Sequence, residues 1–323
     1  MKLQQLRYLV AVAENGLNIT AAAQKLHTSQ PGVSKQLKLL EEELGFQVFL
    51  REGRALTRMT PVGAQVVERA QRILHEMKSI RRLSDDLKNV AGGQLAIGTT
   101  HAQARYVLPD VIRRFRESFP AVRLHLHQGT SEQIAEMMNA DNIDFAIATG
   151  SYALFPGLVK IPCYRWHRAI VVPREHPLTR ERKITLKTLA QHPIITYTFS
   201  FTGPSSLNDT FAAAGLEPNV ALTARDGDVI KTYVRLGMGV GIIAPMAIDE
   251  HDSDLAVIDA SHLFAAHTTW VGFRRGLLLR KYMTEFISLL APHADRRTLE
   301  RAREAKDDEA VAALFDGVEL PLR

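Results

Sequence analysis

A chain of 323 residues, 46% hydrophobic and 23% charged, has the composition of a soluble globular protein and the length of two or three folded units. No apolar run approaches the roughly 18 residues of a membrane span, and the longest early one, YLVAVA, is closed by Glu14, so neither an anchor nor a signal peptide is expected. The single cysteine, Cys163, excludes an intramolecular disulfide framework and a multi-cysteine metal cluster, which suits a cytoplasmic protein, and the net charge of +5 is confined to one end of the chain. The first 93 residues carry 14 Lys and Arg against 9 Asp and Glu, whereas the other 230 carry 26 of each. A local positive excess of this kind is the footprint of a polyanion-binding module.

From residue 3 to about residue 88 the apolar spacing is helical, interrupted once by FQVFLREGRALTRMT, where alternation around Glu52 and Gly53 predicts a short hairpin. The small alanines of ITAAAQKLH predict a short helix from about Thr20, and a brief turn at His27 and Thr28 joins it to a second helix in TSQPGVSKQLKLLEEELG. There Ser29 is a candidate N-cap, Pro31 fits an early helical position and Gly45 suits the C-terminal cap. Val33, Leu37, Leu40 and Leu44 make one buried face, leaving Gln30, Pro31, Ser34, Lys35 and Lys38 on the outer side.

Two helices joined by so short a turn predict a helix-turn-helix whose second member presents its N-terminal residues to the major groove. The chemistry suits that role, since Gln and Ser reach base edges, Lys meets guanine or phosphate, and a helix N-terminus favours phosphate. The hairpin, with Arg51 and Arg54 flanking its turn, then forms a wing on the DNA backbone or minor groove. Ser29, Gln30, Pro31, Ser34, Lys35, Lys38, Arg51 and Arg54 are the candidate DNA contacts; the plainer alternative is a capped surface helix with a solvated lysine face.

After Thr60 and Pro61, the residues Val66, Ala70, Ile73, Met77, Ile80, Ser84 and Leu87 follow the four-three spacing of a coiled-coil seam. A helix of about 27 residues spans roughly 40 Å, enough to join two DNA-reading heads, unless it packs on its own domain instead. NVAGG, residues 89 to 93, is the expected hinge. Beyond it the strand candidates QLAIGT, VRLHLHQ, DFAIAT, HRAIVV, PIITYT, VALTA, VGIIAP and TTWVGF alternate with helical stretches such as SEQIAEMMNA and DVIKTYVRLG, which implies an α/β unit with a mostly parallel sheet. The charged stretch after about residue 293 is expected to be helical in places.

The run AAAQKLHTSQPGVSKQLKLLEEELGFQVFLREGRALTRMTPVG resembles the LysR-type transcriptional regulators. More narrowly, MKLQQLRYLV, TTHAQARYVLPDVI, HLHQGTSEQIAE, TYTFSFTG, DVIKTYVRLGMGVGIIA and GFRRGLLLRKYM resemble the CysB-like branch that controls sulfur assimilation and cysteine biosynthesis, together with its sulfonate-responsive relatives. The resemblance covers nearly the whole chain. It implies an α plus α/β architecture: a winged helix-turn-helix over residues 1–60, a dimerisation helix over 61–88, a hinge over 89–93, a two-lobed effector domain of the periplasmic-binding-protein type over 94–293, and a tail over 294–323. The implied partners are double-stranded promoter DNA, a small effector and further copies of the chain as a dimer or, by the resemblance, a tetramer, with RNA polymerase as a candidate and no membrane.

In an open α/β domain, ligands bind beyond the carboxyl ends of the strands. Three threonine-bearing segments fall there: GTTHAQ after the first strand, Thr149 after DFAIA, and Thr202 just past PIITYT. Thr100 and Gln103 also open a helix, whose free N–H groups favour an anion. Neutral hydroxyl and amide donors, without an arginine clamp, suit a small oxyanion that carries no proton, of which sulfate is the obvious member. The resemblance carries the family's sulfate site onto Thr100, Gln103, Thr149 and Thr202. At position 102 the family pattern has a threonine where this chain has Ala102, so one donor is missing, with Thr99 and His101 as nearby replacements. Acetylserine-type, thiosulfate and sulfonate-related metabolites stay open beside sulfate.

No cofactor, metal or catalytic constellation is expected. His125 and His127 share a strand face but lack further ligands, and the glycines of GMGVG lie after a helix and before a strand, the reverse of a dinucleotide fingerprint. Cys163 reads as a core residue, and so does Trp166, with a place lining the cleft as its alternative. The expected function is a ligand-controlled transcriptional regulator. A small-molecule-binding metabolic enzyme with an accessory helical domain is the alternative, and a nonspecific nucleoid-type DNA binder a third.

Overall fold

The computed structural model describes residues 1–53, 55–88, 92–201 and 207–323, with the side chains of residues 75, 78, 79, 81–88 and 201 outside that description. Two compact units are present, Met1–Val90 and Ala91–Arg323.

The first unit consists of α1 (Leu3–Glu14), α2 (Ile19–Lys25), α3 (Gln30–Leu44), β1 (Phe49–Glu52), β2 (Ala55–Met59) and α4 (Pro61–Lys88). Asn18 starts α2 by accepting from the Ala21 N–H at 3.0 Å, and Ser29 starts α3 by accepting from the Gly32 N–H at 3.3 Å. Gly45 ends α3 in the left-handed region at φ 76°, where a side chain would be strained. Val33, Leu37 and Leu40 bury one face of α3 against Leu9, Val12 and Ala22 from α1 and α2, with Val48 and Phe49 closing the core from the hairpin. Each such burial contributes about 1.5–3 kcal/mol.

The proposed seam of α4 divides in two. Val66 and Ala70 of the seam, together with Val67 and Leu74 beside it, pack into the core of their own unit, because the first turns of α4 lie along α1. Ile73 and Ile80, at 40% and 65% exposure, remain uncovered one heptad apart. Ser84 and Leu87 fall where side chains are not described.

The second unit has two lobes. The first contains β3 (Gly93–Thr99), a π-helical turn (Gln103–Val107), α5 (Leu108–Ser118), β4 (Val122–Gln128), α6 (Ser131–Asn139), β5 (Phe145–Thr149) and β6 (Leu158–Trp166). The chain then crosses at His167 and Arg168 into the second lobe: β7 (Ala169–Pro173), α7 (Leu186–Leu189), β8 (Ile194–Tyr197), α8 (Leu207–Ala213), β9 (Val220–Ala224), α9 (Gly227–Arg235), β10 (Val240–Ile243) and β11 (Leu255–Asp259). It returns to the first lobe with β12 (His267–Arg274), α10 (Lys281–Leu290), α11 (Arg296–Glu304) and α12 (Asp308–Ala312).

The sheets run β4-β3-β5-β12-β6 and β11-β7-β10-β8-β9. Each sheet is covered on both faces, the first by α5 and α10 on one side and α6 on the other, the second by α8 and α9. The expectation of a mostly parallel sheet is corrected to two mixed ones. β3, β4 and β5 are parallel, as are β8, β9 and β10, but the crossing strands β6, β7 and β12 and the edge strand β11 all pair antiparallel.

Two strands escaped the sequence reading. β6 carries Pro162, which argues against a central strand, but β6 is an edge and its register shifts opposite Thr269 and Trp270, where proline is tolerated. β11 follows the polar run HDSD and has no turn signal of its own. The stretch after residue 293 is also no detached tail. Leu299, Ala302, Val311 and Phe315 join the core of the first lobe, and the Arg165 N–H donates to the Pro321 carbonyl at 2.8 Å, shielding the free edge of β6.

Candidate functional site

On α3, Gln30, Pro31, Lys35 and Lys38 are exposed and Ser34 is half-buried, while Val33, Leu37 and Leu40 are buried. The Ser29 hydroxyl is committed as the cap acceptor. Lys38 has Glu42 at 3.8 Å, an exposed pair easily exchanged for another anion. Arg51 is placed differently from a free wing cation. Its guanidinium lies 2.8 Å from the buried carboxylate of Glu41, whose other oxygen accepts from the Val48 and Phe49 N–H groups at 2.9 and 3.1 Å. Arg51 therefore fastens the wing to α3. Arg54 lies outside the described residues, and Arg58 on β2, passed over in the sequence reading, is the exposed cation of the described wing.

In the second unit, β3, β5 and β8 all deliver polar residues at their carboxyl ends. β3 runs out at Thr99, buried with its hydroxyl unpartnered, and the chain passes Thr100 and Ala102, both partly exposed, into the π-helical turn. Gln103, 3% exposed, donates from Nε2 to the Thr149 hydroxyl at 3.1 Å while its Oε1 has no partner. The Thr149 and Thr269 hydroxyls are 2.7 Å apart, and Trp166 Nε1 donates to Thr269 at 3.3 Å. Burial pushes the Tyr164 phenol up to about 12, so it stays a neutral donor beside Gln103 and Thr269. Two of the expected residues, Gln103 and Thr149, are thus joined directly; Thr202 lies outside the described residues. Thr269 and Tyr164 were not foreseen as members, because β12 returns to this lobe only after the excursion through the second and β6 was not read as a strand; Trp166 was read as a core aromatic.

The polar run continues across the crossing. The Trp166 ring packs on His267 with centroids 4.6 Å apart, and burial, followed by the nearby Arg168 and His167, holds His267 down to about 4. Arg168, 3% exposed, donates from one terminal nitrogen to the Ser200 hydroxyl at 2.7 Å, its Nε unpartnered. Burial lowers its guanidinium to about 10, and among the described residues no carboxylate pairs with it. Ser200 in turn lies 3.1 Å from Thr196, next to Tyr197 at the carboxyl end of β8. Arg168 was not among the expected site residues; it stands on the crossing that follows Trp166. The sequence signal was faint, a lone cation directly ahead of the apolar run AIVV.

A second interlobe contact flanks the first. Arg105, from the π-helical turn, lies 3.5 Å from Asp228 on α9, and Lys231 on α9 lies 3.2 Å from Asp228 and 2.6 Å from Asp252. His101, Asp226 and Asp228 bring one ligand atom each within 4.8 Å of one another, yet Asp226 caps α9 and Asp228 is already met by these two cations.

Residues 88–295 match the model of the LysR substrate binding domain, and residues 3–64 match that of the bacterial regulatory helix-turn-helix protein, lysR family. The chain is a LysR-family transcriptional regulator. As a member of that family it is a DNA-binding regulator and not an enzyme, with the small-molecule domain and the oligomeric habit of LysR proteins. It is 46% identical over 320 residues to the HTH-type transcriptional regulator CysB of Haemophilus influenzae, covering 99% of both chains. It is 46% identical over 294 residues to the regulator SsuR of Burkholderia cenocepacia, covering 91% of this chain and 96% of that one. The cofactor-binding domain of the Cbl transcriptional regulator superposes with a TM-score of 0.62 at 44% identity, covering 65% of this chain and 92% of that one. Among the described residues of this LysR regulator, no helix is long and apolar enough to cross a membrane.

Proposed function

We propose that this LysR regulator controls sulfur-assimilation and cysteine-biosynthesis promoters in response to a small effector, sulfate or an acetylserine-type metabolite, held between the two lobes. The near full-length similarity to CysB and SsuR supports the choice of genes. What carries the choice of ligand is the pair of buried groups without partners at the strand ends, next to the Gln103 to Thr149 bond: the Thr99 hydroxyl can donate to either ligand, and Gln103 Oε1 is an acceptor that a ligand with its own N–H or O–H, such as an acetylserine, would fill. Buried polar groups left unmatched in the free chain are the groups a polar ligand completes. Thr100, Gln103, Thr149 and Thr202 line the proposed site, and Ala102 leaves room where a hydroxyl would stand.

On the DNA side, Gln30, Ser34, Lys35 and Lys38 read the major groove from α3, with Arg58 and Arg54 on the wing. Ile73 and Ile80 of α4 join two copies as a dimer, the unit from which a tetramer is built. Effector binding shifts the balance between lobe arrangements and so the grip of the paired heads.

The test is a titration of a sulfur-assimilation promoter duplex by the full-length protein at fixed salt, with and without sulfate, O-acetylserine and N-acetylserine, against a scrambled duplex. Salt is held because phosphate contacts make affinity steeply salt-dependent. Promoter-selective binding that shifts with one of these compounds is expected. Equal affinity for both duplexes defeats the regulatory assignment, and selective binding indifferent to all three defeats the effector assignment alone.

A further inference from the structure

Arg168 is buried as completely as a core leucine, at 3% exposure, yet among the described residues its side chain donates to a neutral hydroxyl, Ser200 at 2.7 Å. Its Nε has no partner, and no described carboxylate pairs with it. An uncompensated buried charge costs several kcal/mol, and a chain with 35 acidic residues has the means to supply a counter-ion. The surroundings are arranged to stay neutral. Tyr197 is held up to about 12 by burial and so supplies no compensating anion at neutral pH, and His267, held down to about 4 by burial, adds no second cation.

The place is equally particular. Ser200 lies just past the carboxyl end of β8, where ligands of open α/β sheets bind, and Arg168 itself is in the two-residue crossing between lobes. His267 and Thr269 stand two residues apart on the same face of β12. That step is on the order of 7 Å. Gln103 and Thr149 gather at the Thr269 end, Arg168 near the His267 end. The polar crossing therefore has two poles, one of neutral donors and one of full positive charge, further apart than the oxygens of one tetrahedral anion.

We propose that Arg168 is the specificity-determining residue of this effector site, taking a second anionic group, a carboxylate or comparable oxyanion, of a ligand whose other polar end occupies the Gln103 and Thr149 pole. The proposal rests on the effector site assigned above and adds the class of ligand: a small molecule with two polar ends, one of them anionic, rather than a single inorganic ion. A guanidinium forms a charge-assisted, bidentate contact with such a group.

The test uses the full-length protein, its Arg168→Gln and Arg168→Lys variants, and three probes followed by calorimetry: N-acetyl-L-serine, the same molecule as its carboxamide, and sulfate. The unchanged chain should bind the acid about 10- to 100-fold more tightly than the amide, the range of a hydrogen bond to a charged group. Arg168→Gln should bring the acid down to the amide, with a much smaller loss for sulfate, and Arg168→Lys should restore part of the preference. As a readout that a packing role would not move, the His267 ring resonance should titrate at higher pH when the acid is bound and stay put with the amide, because an anion on Arg168 relieves the repulsion of a second cation. Melting curves of both variants confirm that they fold. Equal affinity of the unchanged chain for acid and amide overturns the proposal, as does a preference that survives Arg168→Gln or a loss that strikes sulfate and acid alike. Failure of all three probes to bind the unchanged chain overturns the effector site itself, and the proposal with it.

Discussion

Two cations of the second unit are buried to the same degree and treated in opposite ways. Lys231, 3% exposed, has Asp252 at 2.6 Å and Asp228 at 3.2 Å, and Arg235 adds its own contact to Asp252 at 2.7 Å. Arg168, also 3% exposed, meets a serine hydroxyl. Desolvation penalises both, but among the described residues only the first meets a carboxylate. The pair teaches how to separate structure from function among buried charges: a compensated one holds α9 to the following segment, and an uncompensated one awaits a charge from outside. Glu41 in the first unit belongs with Lys231, since Arg51 and two backbone N–H groups complete it.

The comparison breaks if the two classes respond alike to mutation. Asp252→Ala removes the acid shared by Lys231 and Arg235, and a loss of about 3–5 kcal/mol is expected, read by urea unfolding of the second unit. Acid should do the same thing gradually. The contacts from Lys231 and Arg235, working against burial, hold Asp252 down to about 2, below its unfolded value near 3.8. Its contribution, about 2 kcal/mol, is therefore full above pH 4 and lost as pH falls through about 2, a window that Asp252→Asn should erase from the stability curve. Arg168→Met should carry the other sign: without ligand, stability is unchanged or raised by about 1–2 kcal/mol, and a loss as large as that of Asp252→Ala would dissolve the distinction. The smallest effect belongs to Arg105→Ala, whose pair with Asp228 is half exposed; less than about 1 kcal/mol of unfolding free energy should go.

Features with a local cause were legible in the sequence. Ser29, Pro31 and Gly45 bound α3 through their own backbone chemistry, and the spacing of Val33, Leu37 and Leu40 set its buried face. The meeting of Gln103 with Thr149 was legible too, because parallel strands put their carboxyl ends side by side. What depended on the chain leaving and re-entering a lobe was hidden. Thr269 reaches Thr149, and Trp166 reaches Thr269, through antiparallel pairings that no local pattern announces, although TTWVGF itself was legible as a strand; Pro162 argues against a strand at β6. The apolar members of α11 and α12 are scattered among Arg, Glu and Asp, so their docking on the first lobe could not be read from periodicity. Arg168 was visible as a residue, but the absence of an acid beside it is a fact of three dimensions.

The π-helical turn at Gln103–Val107 gives the site an evolutionary handle. A π turn holds one residue more than the α-helix it interrupts, and such turns recur where function is needed. Here it separates Gln103, turned to Thr149, from Arg105, turned to Asp228 on the other lobe. Loss of a single codon would restore ordinary helix and rotate one of these side chains by about 100° relative to the other. A lineage that changes its inducer thus has a one-step route to disconnecting ligand contact from lobe contact, with the hydrophobic core left in place.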